Sequence, residues 1–124
     1  MTDELIAPEV QAFVLENIDS VAELEALLLL YKYADQDWSA ATAARRLYIG
    51  EAAAAQVLAR LAARGLCAGG AAGYRFRADP SLLALVEGLT LAYGRYLIAV
   101  TNLIHDKPSR IQKFADAFKF RKDK

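Results

Sequence analysis

Residues 81–106 form an apolar segment that restricts the possible folds more than any other part of the chain. The segment reads SLLALVEGLTLAYGRYLIAVTNLIHD, and its large apolar side chains fall on most sides of a helix with 3.6 residues per turn. Such a helix has to be buried on more than one side. Despite Gly88 and Gly94, we predict one long helix of roughly 39 Å that ends before Pro108.

This predicted helix also suggests self-association. The core of a 124-residue chain can cover one side of this helix, so the leucine, isoleucine and tyrosine side chains on its other sides would form a large exposed patch. Pairing two such helices about a two-fold axis would bury the patch on both copies, and we therefore expect a homodimer through 81–106. The alternative is that the helices predicted over 7–18 and 109–121 cover both faces within one chain.

Capping patterns indicate the helices of the first half. The helix over 7–18 has Pro8 at its first helical position. Ser20 followed three residues later by Glu23 is typical of a capping box, and it begins a helix with the sequence VAELEALLLLYKY. Ser39 is a suitable N-cap for the short helix AATAARRL.

A further helix and a hairpin are predicted after the turn Tyr48-Ile49-Gly50. The stretch GEAAAAQVLARLAARGL has evenly spaced leucines on one face, and Gly65 has the left-handed tolerance that a helix C-terminus needs. Two short strands, LCA and YRFR, flank the turn GGAAG, and the second strand alternates aromatic residues with Arg75 and Arg77.

The order of these elements resembles a winged helix-turn-helix domain. The resemblance covers residues 38–77, which include the string LYIGEAAAAQVLARLAARGLC and the strand YRFR. These residues are similar to the DNA-binding core of MarR-like bacterial regulators. The resemblance implies a mainly α fold in a single domain of residues 1–124, with a winged-helix core over 20–79, a small β-hairpin wing and a long C-terminal dimerisation helix. It also implies that DNA is the partner.

Seven residues are the candidate DNA contacts. Six arginines occur on the three elements that would flank a groove, where they could bind phosphates regardless of sequence: Arg45, Arg46, Arg60, Arg64, Arg75 and Arg77. Alternatively, they form an ordinary solvated face or pair with the acidic N-terminal third. Gln56 is the one predicted base-reading side chain, because its neighbours on the outward face are mostly alanine. We therefore expect only modest sequence specificity.

The charges divide unevenly along the chain. Residues 1–37 contain nine acidic residues and one basic residue, whereas residues 38–124 contain fourteen basic and six acidic residues. The basic part could face an anionic partner, or the two parts could attract each other within the fold or across a dimer. The last eighteen residues hold seven basic and two acidic residues among three phenylalanines, which suits an acidic protein groove, a membrane surface or DNA backbone. Docking of these phenylalanines on the N-terminal helices is the favoured alternative.

Residue patterns for catalysis, metal binding and cofactor binding are not found in the sequence. Cys67 is the single cysteine and most simply a small core residue, and a redox-sensing thiol is the alternative. His105 beside Asp106 is more simply a helix-end residue than a pH-sensitive pair. No membrane span or secretory signal is indicated, so we expect a cytoplasmic, non-enzymatic DNA-binding regulator. The alternative function is a protein interaction module that uses the winged-helix surface or the basic tail.

Overall fold

The computed structural model describes residues 5–70 and 72–107, and within these ranges the chain is mainly helical. The elements follow in the order α1 (Pro8–Asn17), α2 (Val21–Lys32), α3 (Ala40–Leu47), α4 (Glu51–Ala63), β1 (Cys67–Gly70), β2 (Gly73–Phe76), α5 (Pro80–Arg95) and α6 (Leu97–His105). The two strands form one antiparallel sheet. A mainly α chain with a small hairpin therefore agrees with the prediction, and the predicted helix over 109–121 lies outside the described residues.

Local capping explains where the first three helices begin. Pro8 is the first residue of α1, where a backbone N–H would have no helical partner. The Ser20 hydroxyl accepts a hydrogen bond from the backbone N–H of Glu23 at 3.1 Å and caps α2. Ser39 and Thr42 form a reciprocal capping box at the start of α3, because each side chain accepts from the other residue's backbone N–H. These three predicted helix starts are confirmed. The capping box predicted for Ser20 and Glu23 is incomplete, because the Glu23 carboxylate accepts from the backbone N–H of Asp19 and not of Ser20.

Two left-handed residues shape the connections on either side of α4. Tyr48 ends α3 with a φ of 58°, although a non-glycine residue in this conformation costs about 1–2 kcal/mol. Gly50 then caps the start of α4. Gly65 follows α4 with a φ of 77°, which confirms the predicted left-handed glycine.

The hairpin depends on close backbone packing. Gly69 has a φ of +144°, and a Cβ at this position would lie 2.0 Å from the carbonyl oxygen of Gly73, so a side chain cannot be accommodated without rearrangement. Trp38 and Tyr74 exchange backbone hydrogen bonds of 2.7 Å in both directions. The chain segment before α3 is thereby held against the outer edge of β2.

The structure has two helices where the sequence predicted one helix over 81–106. Tyr96 leaves the helical conformation with φ −131° and ψ 55°, and α5 and α6 meet there at a bend of 113°. The prediction of one continuous helix is therefore wrong, and the reason lies in packing. α1 packs against both α5 and α6, and a straight helix of roughly 39 Å would extend far beyond the ten-residue α1, which is about 15 Å long.

One apolar core joins all six described helices. Its buried members include Phe13 of α1, Leu27 of α2, Leu58 of α4 and Val100 of α6. A Cβ at Gly88 would lie 3.0 Å from the Cγ2 atom of Val10, so α5 approaches α1 closely at this point. The bend at Tyr96 lets both halves of the apolar segment bury one side in the same core.

Within residues 5–70 and 72–107, no helix by itself is long and apolar enough to cross a bilayer. The bent pair α5 and α6 meets the length and composition criteria when its two members are taken together. Both members bury apolar residues in the core described above.

Candidate nucleic-acid interface

α4 presents a face of small side chains to solvent. Its inner side packs into the core through Ala54, Val57, Leu58 and Leu61. Besides Arg60 and Ala63 near its C-terminal end, six positions of α4 are exposed: Glu51, Ala52, Ala53, Ala55, Gln56 and Ala59. Among these six, Gln56 is the side chain that can form paired hydrogen bonds with a base edge, and it has no side-chain partner within the described residues.

Arg45 and Arg46 lie exposed in the last turn of α3. Arg45 makes no ion pair with any residue in 5–70 or 72–107. Arg46 donates a hydrogen bond to the Tyr33 hydroxyl at 3.1 Å, and its guanidinium lies 5.1 Å from the Tyr33 ring centroid and 5.6 Å from that of Trp38. The hydrogen bond from Arg46 lowers the pKa of Tyr33. Arg46 is thus held over an aromatic surface with its charge still near solvent.

Arg60 and Arg64, two of the candidate DNA contacts, form ion pairs with the buried carboxylate of Glu23. Glu23 is 2% exposed, and its two carboxylate oxygens accept from Arg60 at 3.0 Å and from Arg64 at 3.1 Å. Arg64 also contacts Asp19 at 2.7 Å and the backbone carbonyl of Asn17. The alternative that arginines pair with the acidic N-terminal third therefore holds for these two, and Arg75, which pairs with Asp37, is a third case.

The same cluster extends to the end of α6. Lys107 bonds to Asp19 and to the backbone carbonyl of Ile18. Hydrogen bonds from Lys107 and then from Arg64 lower the pKa of Asp19 to about 2. We call these five side chains the Glu23 network: Asp19, Glu23, Arg60, Arg64 and Lys107. It ties the α1–α2 connection to the C-terminal ends of α4 and α6.

The two hairpin arginines are both exposed but differ in their partners. Arg75 forms an ion pair with Asp37 at 3.0 Å, and both side chains are more than half exposed. The Arg77 side chain has no partner in the described part of the chain, while its backbone N–H donates to Leu66 at 3.3 Å. An exposed ion pair contributes little stability, so Arg75 can exchange Asp37 for another anion at small cost.

The predicted site residues consequently fall into two groups. Five are exposed and lie on α3, on the outer face of α4 or at the hairpin: Arg45, Arg46, Gln56, Arg75 and Arg77. The other two, Arg60 and Arg64, belong to the Glu23 network. α3 and β1 both pack against α4, so the arginines of the first group lie on α3, which contacts α4, and at the hairpin whose first strand contacts α4.

Sequence reasoning missed Tyr48. Its side chain is 94% exposed although it is a large aromatic residue in an unfavourable left-handed conformation at the turn between α3 and α4. Strained and exposed residues of this kind concentrate at functional sites. The sequence signal was the turn Tyr48-Ile49-Gly50 itself, since a tyrosine where glycine or asparagine is favoured is unusual.

An open cavity lies beside this turn. Its volume is about 410 Å³, and its lining includes Lys32, Arg46, Tyr48 and Tyr93. The Tyr93 hydroxyl donates to Glu25 at 3.1 Å, and burial raises the pKa of Tyr93. Basic, aromatic and acidic groups therefore meet in one surface depression next to α3.

Cys67 lies in the core and His105 lies at a helix end, which are the positions that the simpler interpretation of each predicts. Cys67 is buried, its thiol donates to the carbonyl of Leu58 at 3.6 Å, and burial raises its pKa to about 11. This environment disfavours the reactive thiolate. His105 is exposed at the end of α6. In the two described ranges, no three histidine, cysteine, aspartate or glutamate side chains are grouped so that they could hold a metal ion.

Known proteins do not add to this description of the surface. The chain was compared with protein-family models, with curated proteins and with solved structures, and no match was found in any of the three. A proposal of function therefore depends on the exposed face of α4 and the groups around it.

Proposed function

We propose that this protein is a small winged-helix regulator that binds double-stranded DNA chiefly through backbone phosphates. The observation that supports this most is the exposed outer face of α4, bordered by elements with exposed arginines on α3 and the hairpin. The tight turn between α3 and α4 and the hairpin that follows fit a winged helix-turn-helix arrangement, in which α4 takes the position of the helix that enters the major groove.

The expected DNA affinity is lower than six free arginines would give. Arg60 and Arg64 are already paired with Asp19 and Glu23, which leaves Arg45, Arg46, Arg75 and Arg77 for phosphates. Each phosphate contact lowers the slope of log K against log salt by about 0.9, so these four predict about −3 to −4 and six would give about −5. Gln56 is one base-reading group, so the preference between sequences is expected to be small.

Fluorescence anisotropy with a labelled random duplex tests this proposal at several salt concentrations. Arg45→Gln and Arg77→Gln should each make the slope shallower by about 1, and they should weaken binding to different duplexes equally. Arg60→Gln is the matched control on α4 itself, because its charge is already compensated by Glu23, and it should leave the slope unchanged. No binding to any duplex at low salt would refute the proposal.

A protein interaction module is the second candidate, and the composition of the α4 face favours it. The first three turns expose four alanines and an acidic residue, Glu51, instead of the basic residues that attract phosphate. Small side chains allow a partner helix to approach closely.

Ala52→Arg separates the two candidates. An added cation on this face should strengthen duplex binding if the face lies against DNA, and it should have no effect on duplex binding if α4 instead faces a protein. The same substitution at Ala63, at the far end of α4, is the control for a general charge effect. Equal gains from both variants would mean that the α4 face is not the DNA-facing surface.

A further inference from the structure

An exposed stripe along α5 is made of residues that complement each other across a two-fold axis. We call it the α5 stripe and define it by Ala84, Glu87, Leu91 and Arg95, which lie on one side of the helix at spacings of three and four residues. Leu91 is 68% exposed at its centre. The stripe faces away from the buried side of α5, which contains Val86 and Leu89.

The two charged members of the stripe are placed symmetrically about Leu91. Glu87 precedes Leu91 by four residues and Arg95 follows it by four, so each lies about 6 Å along the axis from the leucine. Within residues 5–70 and 72–107 neither Glu87 nor Arg95 forms an ion pair. If two α5 helices pack antiparallel with the two-fold axis at Leu91, Glu87 of each chain lies opposite Arg95 of the other chain. The dimer then contains two equivalent ion pairs.

Apolar groups continue the surface beyond the end of the stripe. Leu97 is 53% exposed and Ile98 is 71% exposed at the start of α6, just after the bend. Leu5 is 48% exposed and lines the same depressions as Arg95. Large exposed apolar side chains that are contiguous mark an interaction surface rather than ordinary solvent-facing residues.

We propose that the α5 stripe and the adjoining apolar corner of Leu5, Leu97 and Ile98 bind a second copy of this chain in an antiparallel α5–α5 dimer. Charge complementarity identifies the occupant, since a stripe with one acid and one base at equal distances from a central leucine complements itself. The apolar side chains provide the buried area, and the two ion pairs set direction and register. This dimer differs from the one predicted from the sequence, because it depends on the bend at Tyr96 and not on one continuous helix.

Reversing the charges of the α5 stripe tests the register of the proposed dimer. Sedimentation equilibrium in the absence of DNA measures the mass of the particle and the dimer Kd. The wild-type chain should show twice its mass of 13.6 kDa at tens of micromolar. Glu87→Arg places arginine opposite Arg95 at two symmetric points, and Arg95→Glu places two glutamates together, so each variant should raise the dimer Kd roughly tenfold or more. The double variant Glu87→Arg/Arg95→Glu restores both pairs and should return the Kd to near the wild-type value.

Leu91→Glu supplies a stronger test, because the residue would face its own copy at the axis. The variant should be a folded monomer, since Leu91 contributes little to the core of one chain. Ala55→Glu puts the same charge on the exposed face of α4 and should leave the dimer intact. Circular dichroism establishes that each variant is folded.

Three outcomes would overturn the proposal. A wild-type monomer at every concentration would mean that residues 108–124 or a different protein covers the surface. A dimer that survives Leu91→Glu would place the interface elsewhere. Failure of the double charge reversal to recover what each single reversal loses would exclude the antiparallel α5 register.

Discussion

Replacing Arg64 with methionine should destabilise the protein strongly, because it leaves the buried carboxylate of Glu23 with fewer partners. Glu23 is 2% exposed, and Arg64 is the less exposed of its two arginines, with 26% of its side chain accessible against 58% for Arg60. Methionine keeps much of the aliphatic stem of arginine and removes the charge. The change also removes the contact between Arg64 and Asp19.

The expected loss of stability depends on how many hydrogen-bond partners Glu23 keeps in the Arg64→Met variant. Removing one partner of a fully buried ion pair costs about 3–5 kcal/mol. Glu23 retains Arg60 and the backbone N–H of Asp19 at 3.0 Å, so we expect about 2–3 kcal/mol for Arg64→Met. For a chain of this length, that free energy corresponds to a fall in Tm of about 10 °C.

Thermal and urea unfolding monitored by circular dichroism measure this effect, and Arg75→Met is the matched control. Arg75 pairs with Asp37 at 3.0 Å, the same type of contact, but both side chains are mostly exposed. Its loss should lower the free energy of unfolding by less than about 1 kcal/mol. Equal destabilisation by the two variants would refute the argument that burial of Glu23 makes its network strong. In a double-mutant cycle, Glu23→Gln and Arg64→Met should be non-additive by about 1 kcal/mol or more.

Three further outcomes are expected. The pKa of Asp19 is about 2 in the folded protein against 3.8 in the unfolded chain, so its contribution to folding stability is present above about pH 4 and is lost as the pH falls toward 2. Between pH 5 and pH 2, the Tm of Asp19→Asn should therefore fall less than that of the wild type. The Cys67 thiol, with its pKa raised to about 11, should react with a thiol reagent at pH 8 only as fast as the chain unfolds, and rapid reaction under native conditions would contradict its buried position. Gly94→Ala should stabilise the monomer by about 0.5–1 kcal/mol because nothing lies within 4 Å of the new Cβ, whereas Gly88→Ala should gain less because its Cβ meets α1 at 3.0 Å; equal Tm gains would argue against the close α1–α5 contact.

Interactions between near neighbours were predictable from the sequence. The caps at Ser20 and Ser39 each need a partner three residues along the chain, and both are present. The hairpin was also predictable, because glycines at its turn and alternating aromatic and basic residues in β2 are local signals. The outward positions of α4 followed from helical periodicity alone.

Interactions between distant segments were not predictable in the same way. Glu23 lies 37 residues from Arg60 and 41 from Arg64, and the sequence shows only that the acidic and basic parts have opposite charge. The bend at Tyr96 contains no proline, and α5 and α6 both pack on α1 on its two sides. The six candidate arginines likewise could not be distinguished in the sequence, because only the fold brings Arg60 and Arg64 to the carboxylate of Glu23.

The Glu23 network joins the stability of the fold to the surface proposed for DNA. It withdraws two cations from α4, but it also ties the C-terminal end of that helix to the α1–α2 connection and, through Lys107, to the end of α6. A face whose own side chains are mostly alanine has little base-specific hydrogen bonding to position it. The direction in which α4 projects must then depend on the scaffold behind it. For this reason Glu23→Gln should weaken duplex binding, although the loss of one negative charge leaves the protein more positive. If charge alone governed the affinity for DNA, the same variant would strengthen duplex binding.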